Sequence, residues 1–148
     1  MMKSSGIKSY IKPTLTAVER SVTKEQIALY AEASGDKNLI HIDPIFAAGS
    51  SFGGIVAHGM LILALISEMM AREFDLNWLS SGKLKVRFKA PVYPGETVHT
   101  FGELKGEQPN NHSTVLRYTI GCLNDKNVKV IVGDAWVTVP RHNKVDSN

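Results

Sequence analysis

The stretch GMLILALISEMMAREF, residues 59–74, decides the fold. Its first half, Met60–Ile66, is apolar on every side and not along a single stripe, so a helix formed here has to be surrounded by the rest of the chain. The apolar run is also well short of the roughly 18 residues needed to cross a bilayer. We therefore predict a helix over Gly59–Phe74 at the centre of one globular core.

The second half of the chain supplies what surrounds this helix. Leu84, Val86 and Phe88 alternate with basic residues, which is the period-two pattern of a half-buried strand. Further strands are predicted at about Leu15–Arg20, Thr97–Leu104, Ser113–Leu123 and Val128–Val139, with turn-rich stretches at Gly106–Asn111 and Asn124–Asn127. This order predicts an α+β fold in which an antiparallel sheet of about five strands curls around the long apolar helix. Because such a sheet has exposed edges, we expect a homodimer or a higher homo-oligomer.

Length and composition restrict the class of protein. The chain has 148 residues, of which 43% are hydrophobic and 21% charged, as is typical of a single globular domain. A formal charge of +3 is too small to predict nucleic-acid binding without a recognisable module. The single cysteine, Cys122, excludes an intramolecular disulfide and favours a reducing, cytoplasmic location. We expect one domain over residues 1–148, with frayed ends at about 1–12 and 141–148, no secretory signal and no membrane partner.

Helix signals bracket a polar loop. Thr23 and Gln26 have the spacing of a capping box that starts one helix. Gly35 ends that helix, because glycine adopts the left-handed conformation common just past a helix end. Asp43 followed by Pro44 then starts a second, short helix through about Ala48.

The loop between these helices carries Asp36, Asn38 and His41. A carboxylate and an imidazole that converge on one water suit general acid–base chemistry, and Asn38 could orient that water or a carbonyl. The same spacing is typical of a simple turn, because Asp and Asn side chains bond to nearby backbone. The residues alone leave both interpretations open.

The stretch GGIVAHGM, residues 53–60, leads into the central helix. Free N–H groups at a helix N-terminus can stabilise a developing oxyanion, and Gly59 would let a ligand approach them closely. Alternatively, Gly59 only permits tight packing and His58 only bonds within a turn. Since calcium-loop, zinc, phosphate-loop and dinucleotide motifs do not occur in the sequence, we expect neither a metal nor a nucleotide cofactor.

Together these motifs resemble the MaoC-like family of (R)-specific enoyl-CoA hydratases and dehydratases, whose fold is the hot-dog fold. The resemblance rests on Ser-Gly-Asp-x-Asn-x-x-His with Asp-Pro and Phe-Ala in Tyr30–Ala47, on Ile-Val-Ala-His-Gly-Met in Ile55–Met60, and on Phe-Lys-Ala-Pro-Val-Tyr-Pro-Gly-Glu in Phe88–Glu96. It covers roughly Arg20–Val139. One position departs from the family pattern: Leu39 stands where a proline is usual, and proline would restrain the loop.

The resemblance implies a hydro-lyase that reversibly hydrates a trans-2-enoyl-CoA to an (R)-3-hydroxyacyl-CoA. Asp36 and His41 would hold and activate the water, with Asn38 supporting the pair. The Gly59 N–H would bind the thioester oxygen. Pocket contacts are implied for His58, Met60 and Ser67. No cofactor is implied, since coenzyme A is part of the substrate, and the acyl group could also be carried by acyl carrier protein.

Two further groups of residues are candidates for substrate contact. The acyl chain could lie along Met69, Met70 and Phe74, although such residues at helical spacing are more often plain core. The coenzyme A phosphates could meet Lys83, Lys85, Arg87 and Lys89, although an alternating basic face is usually just solvated. The alternative functions are a hot-dog acyl-CoA thioesterase, for which Glu68 is the residue to watch, and a non-catalytic acyl-CoA-binding module.

Overall fold

The structure, a computed structural model, describes residues 11–141. The elements in chain order are β1 (Glu19–Ser21), α1 (Lys24–Ser34), α2 (Leu39–Ile42), α3 (Pro44–Ala48), α4 (Gly59–Phe74), α5 (Leu76–Ser81), β2 (Lys83–Phe88), β3 (Thr97–Pro109), β4 (Ser113–Asn124) and β5 (Lys129–Pro140). The strands form one five-stranded antiparallel sheet in the order β1-β3-β4-β5-β2. Most of the predicted frayed ends, residues 1–10 and 142–148, lie outside the described residues.

The core lies between α4 and the concave face of the sheet. The buried side chains of α4 recur at helical spacing: Ile62, Leu65, Ile66, Met69, Met70 and Phe74. On β4 every second side chain points to the same core: Leu116, Tyr118, Ile120 and Cys122. Burial of each large apolar side chain stabilises the fold by about 1.5–3 kcal/mol. The predicted hot-dog fold, a curled sheet around a long apolar helix, is therefore confirmed.

The helix signals read from the sequence are also confirmed. Thr23 and Gln26 exchange two hydrogen bonds, with the Gln26 N–H donating to Thr23 Oγ1 (3.1 Å) and the Thr23 N–H donating to Gln26 Oε1 (3.2 Å). Gly35 has a φ of 77° and ends α1. The Asp43 carboxylate accepts the first amides of α3. Helix α4 begins and ends at the predicted residues.

The third strand is longer than expected. It continues past a bulge between Leu104 and Gly106 to Pro109, where a turn was predicted. Continued pairing with β4 holds this extension, and Pro109 fits there because the opposite flank of β3 is covered by β1 only at Thr97–His99. The N-terminal strand is shorter than expected, being limited to β1 and an isolated bridge from Thr14 to Glu103.

Two short helices, α2 and α5, were not predicted. Helix α2 is capped by Asn38, whose Oδ1 accepts the Ile40 N–H (3.2 Å), so His41 lies on a helical turn and not in an open loop. Two apolar side chains expected to face inward are half exposed: Met60 on α4 is 56% exposed and Phe88 on β2 is 53% exposed. Both lie beside the pocket described below.

Ile11 and Lys12, which were expected to fray, are fixed to the core. Ile11 packs against the apolar cluster, and the Lys12 carbonyl accepts a hydrogen bond from the Tyr118 hydroxyl (2.8 Å). The Lys12 ammonium also pairs with Glu73 at 3.0 Å. Within residues 11–141, no helix combines the length and hydropathy that a bilayer crossing requires.

Candidate active site

A cavity of about 510 Å³ opens beside the N-terminus of α4. Its walls are mostly apolar and come from α2, the segment before α4, the start of α4, the end of β2 with the chain that follows it, and β5. They include Ile40, Phe52, Val56, Ile62, Phe88 and Ile131. The polar or charged residues in its lining are Asp36, His41, His58 and Lys89, and Gly59 lines it at the first turn of α4. An apolar pocket with a few convergent polar groups is the usual form of a small-molecule site.

The structure brings the predicted pair Asp36 and His41 together. Asp36 Oδ2 lies 4.0 Å from His41 Nε2, and the His41 side chain is 9% exposed whereas that of Asp36 is 56% exposed. His41 Nδ1 lies 2.7 Å from the Val56 carbonyl oxygen. Since a carbonyl only accepts, Nδ1 carries the proton and a neutral His41 ring presents the Nε2 lone pair toward Asp36. One water can reach both groups across this gap.

A chain of local hydrogen bonds orders the segment that carries Asp36. The Asp36 N–H donates to Ser34 Oγ (3.1 Å), and the Asn38 N–H donates to Asp36 Oδ1 (3.3 Å). The side-chain oxygen of Asn38 accepts the Ile40 N–H and so caps α2. Leu39, in the position of the family's proline, is the first residue of α2 and is held by this cap.

His58 lies beneath the pair. It is 1% exposed, its Nε2 donates to the Asp36 carbonyl oxygen (2.8 Å), and its ring stacks on that of His41 with centroids 3.8 Å apart. Tyr30 contacts the His58 ring edge-on at 4.8 Å. The sequence motif placed His58 near the site but did not reveal these contacts, because they join residues far apart in the chain.

The first turn of α4 presents backbone donors to the pocket. The first bonds of the helix run from the N–H groups of Leu61 and Ile62 to the His58 carbonyl, so the amides of Gly59 and Met60 have no carbonyl one turn earlier. The absent side chain of Gly59 matters, because a Cβ there would lie 2.8 Å from Phe88 Cε1. Gly59 and Met60 thus both line the pocket, and their roles in binding the thioester oxygen and the substrate stay predictions.

Asp36, His41 and His58 bring potential metal-ligand atoms within 4.8 Å of one another. The two imidazole rings are nearly parallel, at 25°, and one nitrogen of each already bonds a carbonyl. A metal lies in the plane of a ligating imidazole at about 2.0–2.1 Å from nitrogen, so one ion cannot lie in both ring planes of this stack. This donor set does not fit a shared metal ion, and metal-free chemistry stays our prediction.

Three other expectations about the pocket are corrected. Ser67 lies in a second depression between α4 and α5, where its Oγ accepts the Trp78 Nε1–H (3.0 Å), and it does not line the pocket of the described chain. Met69, Met70 and Phe74 are core residues and are not pocket walls, because their side of α4 faces the sheet. Of the four basic residues on and after β2, Lys89 alone lines the pocket in the described chain.

Comparison with known proteins identifies the family. Residues 8–122 match the family model described as the MaoC like domain. The 3-hydroxyacyl-thioester dehydratase Z of Mycobacterium tuberculosis is 35% identical over 99 residues, which are 64% of this chain and 66% of that protein, just under two thirds. The 3-hydroxybutyryl-CoA dehydratase of Methylorubrum extorquens is 27% identical over 130 residues, 87% of this chain and 80% of that one. An (R)-hydratase from A. caviae shares the fold, with a TM-score of 0.77 at 24% identity over 90% of this chain and 99% of that one. The chain therefore belongs to the MaoC-like dehydratase family, and the dehydratases named among its relatives are hydro-lyases.

Proposed function

We propose that the protein is an (R)-specific enoyl-CoA hydratase, which reversibly adds water to a trans-2-enoyl-CoA to form an (R)-3-hydroxyacyl-CoA. The observation that carries this proposal is the convergence of the Asp36 carboxylate, His41 Nε2 and the Gly59 amide on one apolar pocket. The names of the two curated relatives support the coarser statement, a dehydratase or hydratase acting on acyl thioesters.

Hydration needs a base for the water, a donor for the thioester oxygen and a proton for the α-carbon. His41 Nε2 accepts a proton from the water as its oxygen bonds to the β-carbon, and the Asp36 carboxylate fixes the water and stabilises the charged imidazole. The π electrons move toward the thioester carbonyl, whose oxygen accepts from the Gly59 N–H. The proton then returns to the α-carbon, so the elements of one water end on the two carbons.

Removing either member of the pair is expected to abolish most of the activity. Positioned acid–base groups contribute about 10²–10⁴-fold to rates, so Asp36→Asn and His41→Ala should each lower kcat by about that factor. The fold should persist, because the Asp36 side chain is exposed and an asparagine can still accept the Asn38 N–H. Glu32→Gln is the matched control, since this exposed carboxylate on α1 pairs only with Lys37 in the described chain. Near-normal rates in both pair variants would refute the assignment.

The assay uses crotonyl-CoA, following the conjugated enoyl absorbance and the appearance of free thiol together. Loss of absorbance without thiol supports the hydratase, whereas thiol release identifies a thioesterase and acyl-CoA binding without either signal identifies a non-catalytic module. The configuration of the product is read with an (R)-specific 3-hydroxyacyl-CoA dehydrogenase. Comparing kcat/KM for crotonyl-CoA and crotonyl-acyl carrier protein identifies the carrier.

Glu68 does not favour the thioesterase. Its carboxylate is held by Arg20 at 2.9 and 2.8 Å and also by Arg72, and it does not line the pocket of the described chain. A carboxylate fixed between two guanidinium groups is poorly placed to attack a thioester carbon.

We propose that two copies of the chain pair, and that an acyl-thioester substrate enters each pocket beside the interface between them. Strand β2 ends one edge of the sheet, and Phe52, Met60 and Phe88 are exposed around the pocket beside it. A second copy would cover this apolar rim. Light scattering on a sizing column should give twice the monomer mass; a monomeric mass would refute the pairing. The cytoplasmic location and the lack of nucleic-acid or membrane partners stay predictions.

A further inference from the structure

We propose that His58 is a positioning residue that fixes the Asp36–His41 pair through one hydrogen bond and one ring stack. The inference rests on the proposed function, in which that pair activates the water. It differs from the role in substrate contact that the sequence suggested for His58. At 1% exposure, the His58 side chain is nearly closed to solvent, whereas Asp36 and His41 have the reach to meet a water in the gap between them.

The hydrogen bond ties the N-cap of α4 to the loop after α1. His58 Nε2 donates to the main-chain carbonyl of Asp36 at 2.8 Å, across 22 residues of sequence. The Asp36 side chain is itself 56% exposed, and its carboxylate accepts only the long bond from the Asn38 N–H within the described chain. The hydrogen bond from His58 therefore fixes the backbone position from which the Asp36 side chain extends.

The stack restrains the second member of the pair. Beyond the covalent bond to its own Cβ, the His41 ring has one hydrogen bond, from Nδ1 to the Val56 carbonyl, which holds one edge of the ring and leaves its tilt to the packing around it. His58 lies against this ring at 3.8 Å and 25°, and Tyr30 meets the His58 ring edge-on at 4.8 Å. The His41 plane is thus set, and its Nε2 is kept pointing toward Asp36.

The unpaired nitrogen of His58 argues against a role in filling space. His58 Nδ1 is buried and has no hydrogen-bond partner among residues 11–141. A buried polar atom without a partner is unfavourable, and an apolar ring of similar shape would fill the space without it. The imidazole is instead explained by its second nitrogen, Nε2, which donates the hydrogen bond to the Asp36 carbonyl.

Three variants separate the two contacts. His58→Phe keeps a flat ring and loses the donor, His58→Gln keeps an N–H donor and loses the ring, and His58→Ala loses both. Because misplacing reacting groups by about 1 Å can cost about 10²-fold in rate, we expect His58→Ala to lower kcat by about that factor with KM for crotonyl-CoA within about twofold. His58→Phe and His58→Gln should each recover part of the loss. Normal kcat in His58→Ala, a change confined to KM, or no recovery in either other variant would overturn the proposal.

A second measurement needs neither a variant nor activity. Long-range ¹H–¹⁵N spectra of the wild-type protein with labelled histidines, recorded near pH 8 where an unperturbed imidazole is neutral, report which ring nitrogen bears hydrogen. We expect opposite tautomers, with hydrogen on Nδ1 of His41 and on Nε2 of His58. The same tautomer in both rings would overturn the proposal even if all variants misfold. A wild-type protein that shows these tautomers but does not hydrate crotonyl-CoA would refute the proposed function instead.

Discussion

At the scale of single residues, Gly59 and Phe88 decide how closely a ligand approaches the first turn of α4. A Cβ on Gly59 would lie only 2.8 Å from Phe88 Cε1, which is too close for two carbon atoms. Both residues line the pocket. Gly59→Ala therefore has to push Phe88 away from its place at the pocket. The collision is with outer atoms of the Phe88 ring, which is 53% exposed within one copy and can turn aside, so the free energy of unfolding of that copy should change little. We expect kcat/KM to fall about 10- to 100-fold, because the thioester oxygen and the amide no longer meet in the same geometry.

The control is the double variant Gly59→Ala with Phe88→Ala, which removes the collision. Measured against Phe88→Ala alone, the added methyl group should cost less in kcat/KM than it does in the wild-type background. Equal costs in the two backgrounds would show that the methyl group acts without Phe88. An unchanged kcat/KM in Gly59→Ala would contradict a role for this amide in binding the oxygen.

The candidate site was predicted from the sequence only as far as its local motifs reach. Asp36, His41 and Gly59 stand in short motifs with recognisable chemistry, and the structure places them at one pocket. Ser67 was misplaced because its neighbour Trp78 lies on a short helix that the sequence did not predict. The contacts of His58 depend on how two distant segments meet, and no local pattern encodes that.

At the scale of elements, the end of α1 sets the direction in which the chain enters the segment that carries Asp36. Gly35 has a φ of 77° and immediately precedes Asp36, and a Cβ there would meet no described atom within 4 Å. Gly35→Ala should therefore lower the free energy of unfolding by about 1–2 kcal/mol through backbone strain alone. Urea denaturation followed by circular dichroism measures this difference.

Gly54→Ala is the matched control. A Cβ at Gly54 also meets no described atom within 4 Å, but its φ lies outside the left-handed region. That substitution should be neutral or stabilise by up to about 1 kcal/mol, since it restricts the unfolded chain. Equal losses for the two alanine variants would show that left-handed strain is not what Gly35 relieves.

Elements with strong local sequence signals were predicted well. Very short helices, and a strand extension that depends on pairing with a distant strand, were not. The capping box at Thr23 and the apolar run of α4 determine those helices locally. Helices α2 and α5 have four and six residues, too few for a periodic pattern. The extension of β3 to Pro109 depends on pairing with β4, so its turn-like composition was misleading.

At the scale of the whole molecule, the packing of the sheet on α4 should make the free energy of unfolding fall as the pH becomes alkaline. Burial raises the pKa of the Cys122 thiol from its ordinary value of 9.0 to about 12. Burial, followed by the negative charges of Glu73 and Glu107, raises the pKa of Tyr118 from 10.0 to about 12. Both side chains lie in the core beside α4, so the folded state favours their neutral forms.

The sign of the effect follows from proton binding. Above pH 9 the unfolded chain releases the Cys122 proton while the folded chain keeps it, and above pH 10 the same holds for Tyr118. The unfolded state then binds fewer protons, so the free energy of unfolding falls with rising pH, by up to about 1.4 kcal/mol per pH unit for each group. This stability is fully present below pH 9 and is lost as pH approaches 12. Urea titrations at intervals across this range, each fitted for the free energy of unfolding, measure the slope.

Two variants separate the contributions of Cys122 and Tyr118 to the dependence of the free energy of unfolding on pH. Cys122→Ala should be less stable at neutral pH because it leaves a small cavity, yet its stability should fall less steeply just above pH 9. Tyr118→Phe loses the hydrogen bond to the Lys12 carbonyl and should differ from wild type in slope only above pH 10. Because lysine deprotonation affects all three proteins alike, the difference in slope isolates each buried group. Parallel curves for the three proteins would contradict the buried, neutral state of both side chains.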